Sequence, residues 1–509
     1  MADETRVKNV VLLQNIKEKA KLCCDSPKFA NNILDIINLA QTEDKSVLTA
    51  CVKAFHKIFT QFIGNGELYT SPEVDDESKE GKYKIWLNER YSDVYERLVE
   101  LLQCKHATVK ELSLSTLMKL VTAEGQNPIT VISAKQSNFP IHRFQEIIRG
   151  LISVYCNHKD LITRFQEYLD YDDVRFHVLK FLIKDIKEKK QQKYSDEYLN
   201  NIYAMLEQIS FPLIENEVLS NCLCKTPDDL SVFKVSSLKE QKKLFSSAWV
   251  QFLQFKLTSS LYRSVLVILH DKVMPYMTNP LLLSDFLTES YNVGGAISLL
   301  ALNGLFILVH KFNLDYPEFF TKLYALFEPG VFHAKYRARF FFLADLFLSS
   351  SHLPAYLVAA FAKKLSRLCL TAPAPGLSIA VPFIYNLINR HPNCNVLIHR
   401  TDSSTELSAD PFLMDEPDPS QCKALESSLW ELKTLQTHYN PDISKFANRI
   451  EHPLQTSEID LSELLENNYH QLFEKETRKK IKIAPVTFIP PKGLLITNDD
   501  KIGLCWTMD

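Results

Sequence analysis

Apolar residues recur at intervals of three and four positions through the first 207 residues, which is the spacing of one face of an α-helix. One such run covers residues 47–59, and the pair Ser26-Pro27 has the cap and first-turn residues with which helices begin. Glycine is scarce, at 12 of 509 residues, whereas folds built of strands and tight turns need it for positive φ angles. The pattern predicts an all-α protein.

The helix-length runs follow one another as pairs, at intervals of roughly 40 residues, without a strict sequence repeat. Two-helix units of that size bury their apolar faces only against neighbouring units, so we predict a HEAT/armadillo-like α-solenoid with an extended C-terminal tail. A short acidic loop is predicted over 71–82. The larger divisions are N-terminal HEAT-like repeats over 1–209, a connector over 210–237, central repeats over 238–400, an acidic flexible loop over 401–422, and C-terminal helices with the tail over 423–509. The first of the C-terminal helices is predicted to be an amphipathic helix near 423–439.

The most apolar and aromatic part of the chain is the stretch of residues 293–370. Residues 290–309 carry no charge, so a membrane span has to be weighed against a buried helix. The following apolar helix carries Arg337, Arg339 and Asp345, each of which would be costly at the centre of a bilayer. We therefore expect a buried solenoid helix and no membrane contact.

The residues that could hold a metal do not have the usual spacing. The 11 cysteines are scattered, and the N-terminal residues lack signal-peptide features, which predicts reduced thiols inside the cell. His391, Cys394 and His399 offer three ligands but no evident fourth. No metal and no cofactor are expected.

No segment has the pattern of a nucleotide-binding loop, a dinucleotide fingerprint, a nucleophile elbow or a metalloprotease helix. Asp170, Asp172 and Asp173 cluster in the manner of carboxylates that bind magnesium or act in acid–base catalysis, but acidic residues at a helix N-terminus are the commoner arrangement. We predict no catalytic residue, and hence a protein that is not an enzyme.

Basic residues form three local groups that could contact phosphates or acidic partners. The net charge is only −3, so any contact with RNA must be local. Residues 184–193 mix lysines with acidic residues and are typical of a solvated helix end. The candidate partner or phosphate contacts are Lys335, Arg337 and Arg339 beside aromatic residues, and Arg478, Lys479, Lys480 and Lys482 before the tail.

Both candidate groups have alternative roles. Arg337 and Arg339 could instead be buried in structural ion pairs, for example with Asp345. The group at 478–482 could serve docking on a protein or RNA partner, or nuclear import.

Several runs of residues carry a resemblance to a known family. They are SLLALNGLFILVH (298–310), YPEFF (316–320), KLYALF (322–327), HAKYRARF (333–340) and LADLFLSSSHLPAY (343–356), with further matches at 82–86, 164–173, 424–432 and 488–490. The sequence resembles the nucleolar complex proteins, with their CCAAT-binding-factor domain expected over about 295–445. The resemblance implies a HEAT-like helical protein of the small-subunit processome, in the nucleus and nucleolus.

The resemblance also implies a function and a partner. The first hypothesis is a non-enzymatic ribosome biogenesis factor that binds nucleolar protein 14 and other processome proteins in small-subunit assembly and rRNA maturation. Pre-rRNA would be bound within the particle and only weakly by the isolated chain. The alternative is a HEAT-type nuclear transport or adaptor protein, which shares the architecture but not the partners.

Overall fold

The computed structural model describes residues 2–70, 78–130, 138–190, 194–211, 219–225, 234–400, 409–454 and 457–478. Over these ranges the chain consists of α-helices, short 3-10 helices, a π-helical segment at Leu269–Val273 and irregular connections, and it contains no β-strand. One isolated parallel bridge joins Thr70 and Thr130. The prediction of an all-α protein is confirmed.

The chain divides into two compact units, Met1–Phe319 and Phe320–Asp509. The helices of the first unit are α1 (Ala2–Asp25), α2 (Asn32–Leu39), α3 (Lys45–Gly64), α4 (Lys79–Leu101), α5 (Ala107–Gln126), α6 (Ile141–Leu151), α7 (Lys159–Leu169), α8 (Asp172–Lys189), α9 (Asp196–Glu207), α10 (Leu238–Phe252), α11 (Ser259–Ile268), α12 (Ser284–Tyr291) and α13 (Gly295–Phe312). Helix α14 (Phe319–Ala325) begins at Phe319, the last residue of the first unit, and its other residues belong to the second unit. The second unit continues with α15 (Arg337–Phe347), α16 (Ala355–Cys369), α17 (Ala374–Arg390), α18 (Trp430–Leu435), α19 (Pro441–Asn448), α20 (Ser462–Leu465) and α21 (Tyr469–Arg478).

Helices of the first unit pack on partners that are close in sequence. Helix α3 contacts α1 and α5, α7 contacts α9, α8 contacts α10, and α11 contacts α13. These helices thus bury apolar surface against the helix two positions along, while others, such as α12 and α13, pack on the next helix in sequence, as in a stack of helix pairs. The predicted α-solenoid is confirmed in this unit. Because α8 packs on α10, contacts also span the predicted connector at 210–237.

Two helix starts can be compared with the sequence. Ser26 caps a 3-10 turn that begins at Pro27, and its hydroxyl accepts the backbone N–H of Lys28, as predicted. The predicted acidic loop at 71–82 is wrong over its last residues, because the hydroxyl of Ser78 accepts the N–H of Gly81 and helix α4 begins immediately after this cap. Residues 71–77 lie outside the described residues.

Helix α13 is the most apolar helix and packs against α11 and α12. Gly304 of α13 lies where α13 and α12 approach closely, since a Cβ at this position would be 2.8 Å from a methyl carbon of Leu287 on α12. Among the described helices, α13 alone is long and apolar enough to span a membrane, and 50% of it is buried inside the protein. This arrangement is that of a core helix in a helical stack.

Many of the aromatic residues in the second unit pack together in its core. Phe327 packs edge-on against Phe340 at 4.9 Å and Phe361 at 5.2 Å, and Phe341 contacts Phe383 at 5.8 Å between ring centroids. Edge-to-face pairs of this kind add roughly 0.5–1.5 kcal/mol each beyond the burial of apolar area. The aromatic residues of α15 therefore hold it against α16 and α17.

The C-terminal helices differ from the predicted pattern. The single amphipathic helix expected near 423–439 is wrong: the structure has a 3-10 turn, Ala424–Glu426, followed by the short helix α18. Ser427 is extended, and it separates the two elements because its hydroxyl donates to the Asp410 carboxylate. Residues 479–509, where the extended tail is predicted, lie outside the described residues, as do 401–408 of the predicted acidic loop.

Candidate docking surface and buried polar clusters

The predicted basic pair on α15 is divided between two sides of the helix. Arg337 is half-buried and donates to the backbone oxygens of Phe332 at 3.2 Å and Asn467 at 2.6 Å. Burial lowers the pKa of its guanidinium below the ordinary value. Arg339 is exposed, because two helical positions turn the side chain by roughly 200°. Arg337 therefore holds the chain around Asn467, and its role as a partner contact stays a prediction.

The acidic residue suggested as a partner for these arginines pairs elsewhere. Asp345 lies 2.8 Å from Arg390 of α17, and Arg390 also forms two hydrogen bonds of 2.7 Å with Glu458. These hydrogen bonds outweigh burial and raise the pKa of Arg390. The triad joins α15, α17 and the segment before α20.

The outward side of α15 combines basic and large apolar side chains. Lys335, in the turn two residues before α15, and Arg339 on α15 are both exposed, and neither forms an ion pair with a described residue. Phe342 is 58% exposed and Leu346 42% exposed, one and two turns further along the same side. We call Lys335, Arg339, Phe342 and Leu346 the α15 face. Exposed apolar residues flanked by cations fit a protein segment with apolar and acidic side chains.

The second predicted basic group is only partly described. Arg478 lies at the end of α21, is exposed, and pairs with Glu474 at 3.1 Å. Lys479, Lys480 and Lys482 lie outside the described residues, so their role as partner or phosphate contacts stays a prediction.

A buried ionic cluster in the second unit was not predicted. Lys363 of α16 lies 2.6 Å from Glu431 and 2.8 Å from Asp410. Arg367, one turn further, lies 2.5 Å from Asp410 and 3.0 Å from Glu431. We call these four residues the Lys363 cluster. It fastens the chain from Asp410 to α18 onto α16, so this end of the predicted flexible loop is held by the core.

Asp410 is the acceptor at the centre of the Lys363 cluster. Burial acts to raise its pKa, but hydrogen bonds from Lys363, Ser427 and the Trp430 indole hold that pKa well below the ordinary value. The guanidinium of Arg367 also lies 4.8 Å from the centroid of the Trp430 ring. The one sequence signal for this cluster was the run 424–432, which carries the family resemblance.

A second buried cluster lies at the start of α8, where a helix N-terminus was predicted. The Asp172 carboxylate pairs with Arg175 and accepts the N–H of Asn221 at 2.9 Å. The Asp173 carboxylate accepts the N–H groups of Leu223 at 3.0 Å and Cys224 at 2.9 Å. The predicted helix N-terminus is confirmed, and it has an additional role: it holds the segment 219–225.

The start of α8 is also tied to α10. Arg175 is buried and donates from its Nε to Gln241 at 2.8 Å, and Gln241 donates to the backbone oxygen of Asp172 at 3.0 Å. The polar side-chain groups of Asp172, Asp173, Arg175 and Gln241 all have structural partners. The arrangement is that of a helix junction rather than of a catalytic carboxylate pair.

The three residues considered as metal ligands, His391, Cys394 and His399, do not form a metal-binding group. The thiol of Cys394 donates to the backbone oxygen of Ala355 at 3.6 Å, and burial raises its pKa to about 11. His391 is buried, and burial lowers its pKa. Among the described residues, no three His, Cys, Asp or Glu side chains lie close enough to hold an ion.

Comparison with known proteins gives the family. Residues 298–447 match the CBF/Mak21 family, and residues 12–193 match a family described as nucleolar complex protein 4-like, TPR repeats. The family description names TPR repeats where HEAT-like repeats are expected, and both are two-helix units of an α-solenoid.

Full-length relatives agree with the family matches. Nucleolar complex protein 4 homolog B of Xenopus laevis is 44% identical, covering 96% of this chain and 94% of the relative. The Gallus gallus homolog is 44% identical over 94% of this chain and 96% of the relative. The Homo sapiens homolog is 45% identical over 92% of both. The chain belongs to the nucleolar complex protein 4 family.

Proposed function

We propose that this chain is a non-enzymatic nucleolar scaffold of the small-subunit processome, which acts with nucleolar protein 14 in small-subunit assembly and rRNA maturation. The observation that supports the proposal most is the similarity to nucleolar complex protein 4 homologs over nearly the whole chain. A solenoid offers long surfaces on which a scaffold can hold several proteins.

The α15 face is the surface that we assign to the protein partner. It lies within the region that matches the CBF/Mak21 family, and it exposes two large apolar side chains, Phe342 and Leu346. Buried aromatic anchors contribute most of the affinity at protein interfaces, while surrounding charges set orientation and association rate. A partner segment with apolar side chains and carboxylates would match Lys335 and Arg339.

RNA contact is a minor part of the proposal. The chain carries a net charge of −3, so it lacks the general attraction to phosphates that drives binding to bare RNA. Weak binding that disappears at high salt is expected for the isolated chain. Tight binding to bare RNA at high salt would contradict the scaffold role proposed here.

Affinity purification of the tagged full chain from nuclear extract tests the proposal. Nucleolar protein 14 and other processome proteins should co-purify, and the variant Phe342→Ala/Leu346→Ala should recover less of nucleolar protein 14. Tyr155→Ala is the matched control, because Tyr155 is 82% exposed and lies in the other unit. Recovery of Ran or nuclear-pore proteins instead would favour a HEAT-type nuclear transport adaptor.

A further inference from the structure

A groove in the first unit has features that the proposed scaffold role does not use. It lies between the C-terminal end of α10 and helix α12, and it has a volume of about 550 Å³. Cavities of this size hold a ligand or several side chains of a partner segment. We call it the α10–α12 groove.

The apolar part of the groove is supported by packed aromatic rings. Tyr262 of α11 and Phe286 of α12 both line it, and their ring centroids are 5.0 Å apart. The hydroxyl of Tyr262 is fixed by Ser290, at 3.0 Å between the oxygens. Leu282 also lines the groove and is 56% exposed. A large exposed leucine beside a rigid aromatic wall is a ready contact for an apolar side chain.

Charged residues line the groove on both walls. Asp285 and Glu289 lie one turn apart on α12, and both are exposed. Lys256, which follows α10, lines the other wall and is exposed. None of the three forms an ion pair with a described residue, so their charges are available to a partner.

We propose that the α10–α12 groove binds a protein segment that carries an apolar anchor and at least two basic side chains. The anchor packs on Leu282 and Phe286, and the basic side chains pair with Asp285 and Glu289. Lys256 on the opposite wall orients the segment, because its positive charge repels basic side chains of the segment and attracts acidic ones. RNA is disfavoured, since its phosphates would meet the two carboxylates of α12.

This inference goes beyond the proposed function, because it assigns a second partner to the first unit, apart from the α15 face. A scaffold that holds two partners at separate surfaces can link them within one particle. The two proposals are tested by different variants, so either can fail alone.

Site-specific photo-crosslinking in cells tests the groove. The full chain carries p-benzoylphenylalanine in place of Leu282, and mass spectrometry identifies the crosslinked peptide. The expected product is a peptide of another protein with an apolar residue and at least two Lys or Arg residues within two helical turns of it. The probe placed at Tyr155, exposed in the same unit, controls for random collisions.

Charge reversal provides the second measurement. Asp285→Lys/Glu289→Lys should lower the crosslink yield at least about tenfold, and the neutral pair Asp285→Asn/Glu289→Gln should lower it less. Glu96→Lys/Glu111→Lys is the matched control, because both residues are exposed on other helices of the unit. A thermal unfolding midpoint equal to that of the wild type shows that a variant is folded. If the charge-reversal variant unfolds, the crosslink yield of the neutral variant Asp285→Asn/Glu289→Gln decides the test.

Several results would overturn the proposal. A crosslink to RNA, to a second copy of the chain or to its own sequence would assign the groove a different occupant. A crosslinked peptide without basic residues, or a yield that neither charge variant changes, would remove the role of Asp285 and Glu289. A product no stronger than that from the Tyr155 probe would leave the groove without a partner.

Discussion

The ammonium group of Lys363 lies 2.6 Å from the carboxylate of Glu431, and both side chains are completely buried. The two residues come from α16 and α18, so the pair closes a loop of the chain across the core of the second unit. Such a pair contributes specificity of packing, because either charge left alone in the interior would be strongly destabilising.

Removal of one charge from this pair should destabilise the protein strongly. Glu431→Gln removes one of the two carboxylates that pair with the buried Lys363, while Asp410 remains 2.8 Å away, and we expect a loss of about 1.5–3 kcal/mol in the free energy of unfolding. Denaturant unfolding of the full chain measures it. Glu167→Gln is the control, because Glu167 pairs with Arg164 at an exposed site, where the expected loss is below about 1 kcal/mol. Equal losses in both variants would contradict the structural role of the Lys363 cluster.

Buried histidines should make the stability fall in acid. Burial lowers the pKa of His158 and His177 to about 4, whereas an unfolded histidine titrates near 6.5. Between these values the unfolded state binds more protons, so stability is lost as the pH falls through this window. We expect a loss of about 1–2 kcal/mol per histidine between pH 7 and pH 5.

The variant His177→Phe isolates this effect. His177 stacks on Phe139 with centroids 4.3 Å apart, and phenylalanine keeps that stack while removing the titrating group. The unfolding free energy of the variant should depend less on pH between 7 and 5 than that of the wild type. An unchanged pH dependence would show that His177 is not held neutral by the fold.

Asp173 should control the local stability of the segment 219–225. Its carboxylate accepts the backbone N–H groups of Leu223, which is half-buried, and Cys224, which is buried, so Asp173→Ala leaves both donors without this acceptor. Each unsatisfied group costs about 1–3 kcal/mol, which predicts at least about fivefold faster hydrogen exchange at these amides. Amides of α3 serve as the control. Unchanged exchange at Leu223 and Cys224 would contradict the anchoring role.

Helix α13 should behave as a core helix in cells. Half of its residues are buried against other parts of the protein, and the run from Gly295 to Phe312 is followed by charged helices. After carbonate extraction of cell membranes, the full chain should appear in the supernatant, with an integral membrane protein of known topology as the marker for the pellet. Retention in the pellet with that marker would show that α13 spans the bilayer.

The sequence predicted what depends on local pattern. Helical spacing of apolar residues was sufficient for the all-α fold, and the apolar run near Gly295 was assigned to a helix of the right type. The cap at Ser26 and the acidic helix start at Asp172 followed from residue preferences at helix ends. These features need no knowledge of distant contacts.

The features that were missed depend on contacts between distant segments. Arg337 was grouped with Arg339, yet its acceptor at Asn467 is 130 positions away. In the Lys363 cluster, Asp410 comes from the segment predicted as an acidic loop, and Glu431 comes from the segment predicted as an amphipathic helix. Two hydrogen bonds of this cluster lie where the predicted helix at 423–439 is interrupted: the Lys363 ammonium donates to the backbone oxygen of Ser428, and the Ser427 hydroxyl donates to Asp410.

Direct titration of the purified full chain with purified nucleolar protein 14 by calorimetry tests the central claim most directly. The wild-type chain should bind, and Phe342→Ala/Leu346→Ala should weaken the affinity at least about tenfold, because it removes both apolar anchors of the α15 face. Tyr155→Ala should leave the affinity unchanged. Absence of binding by the wild-type chain, or equal affinities for all three proteins, would contradict the account.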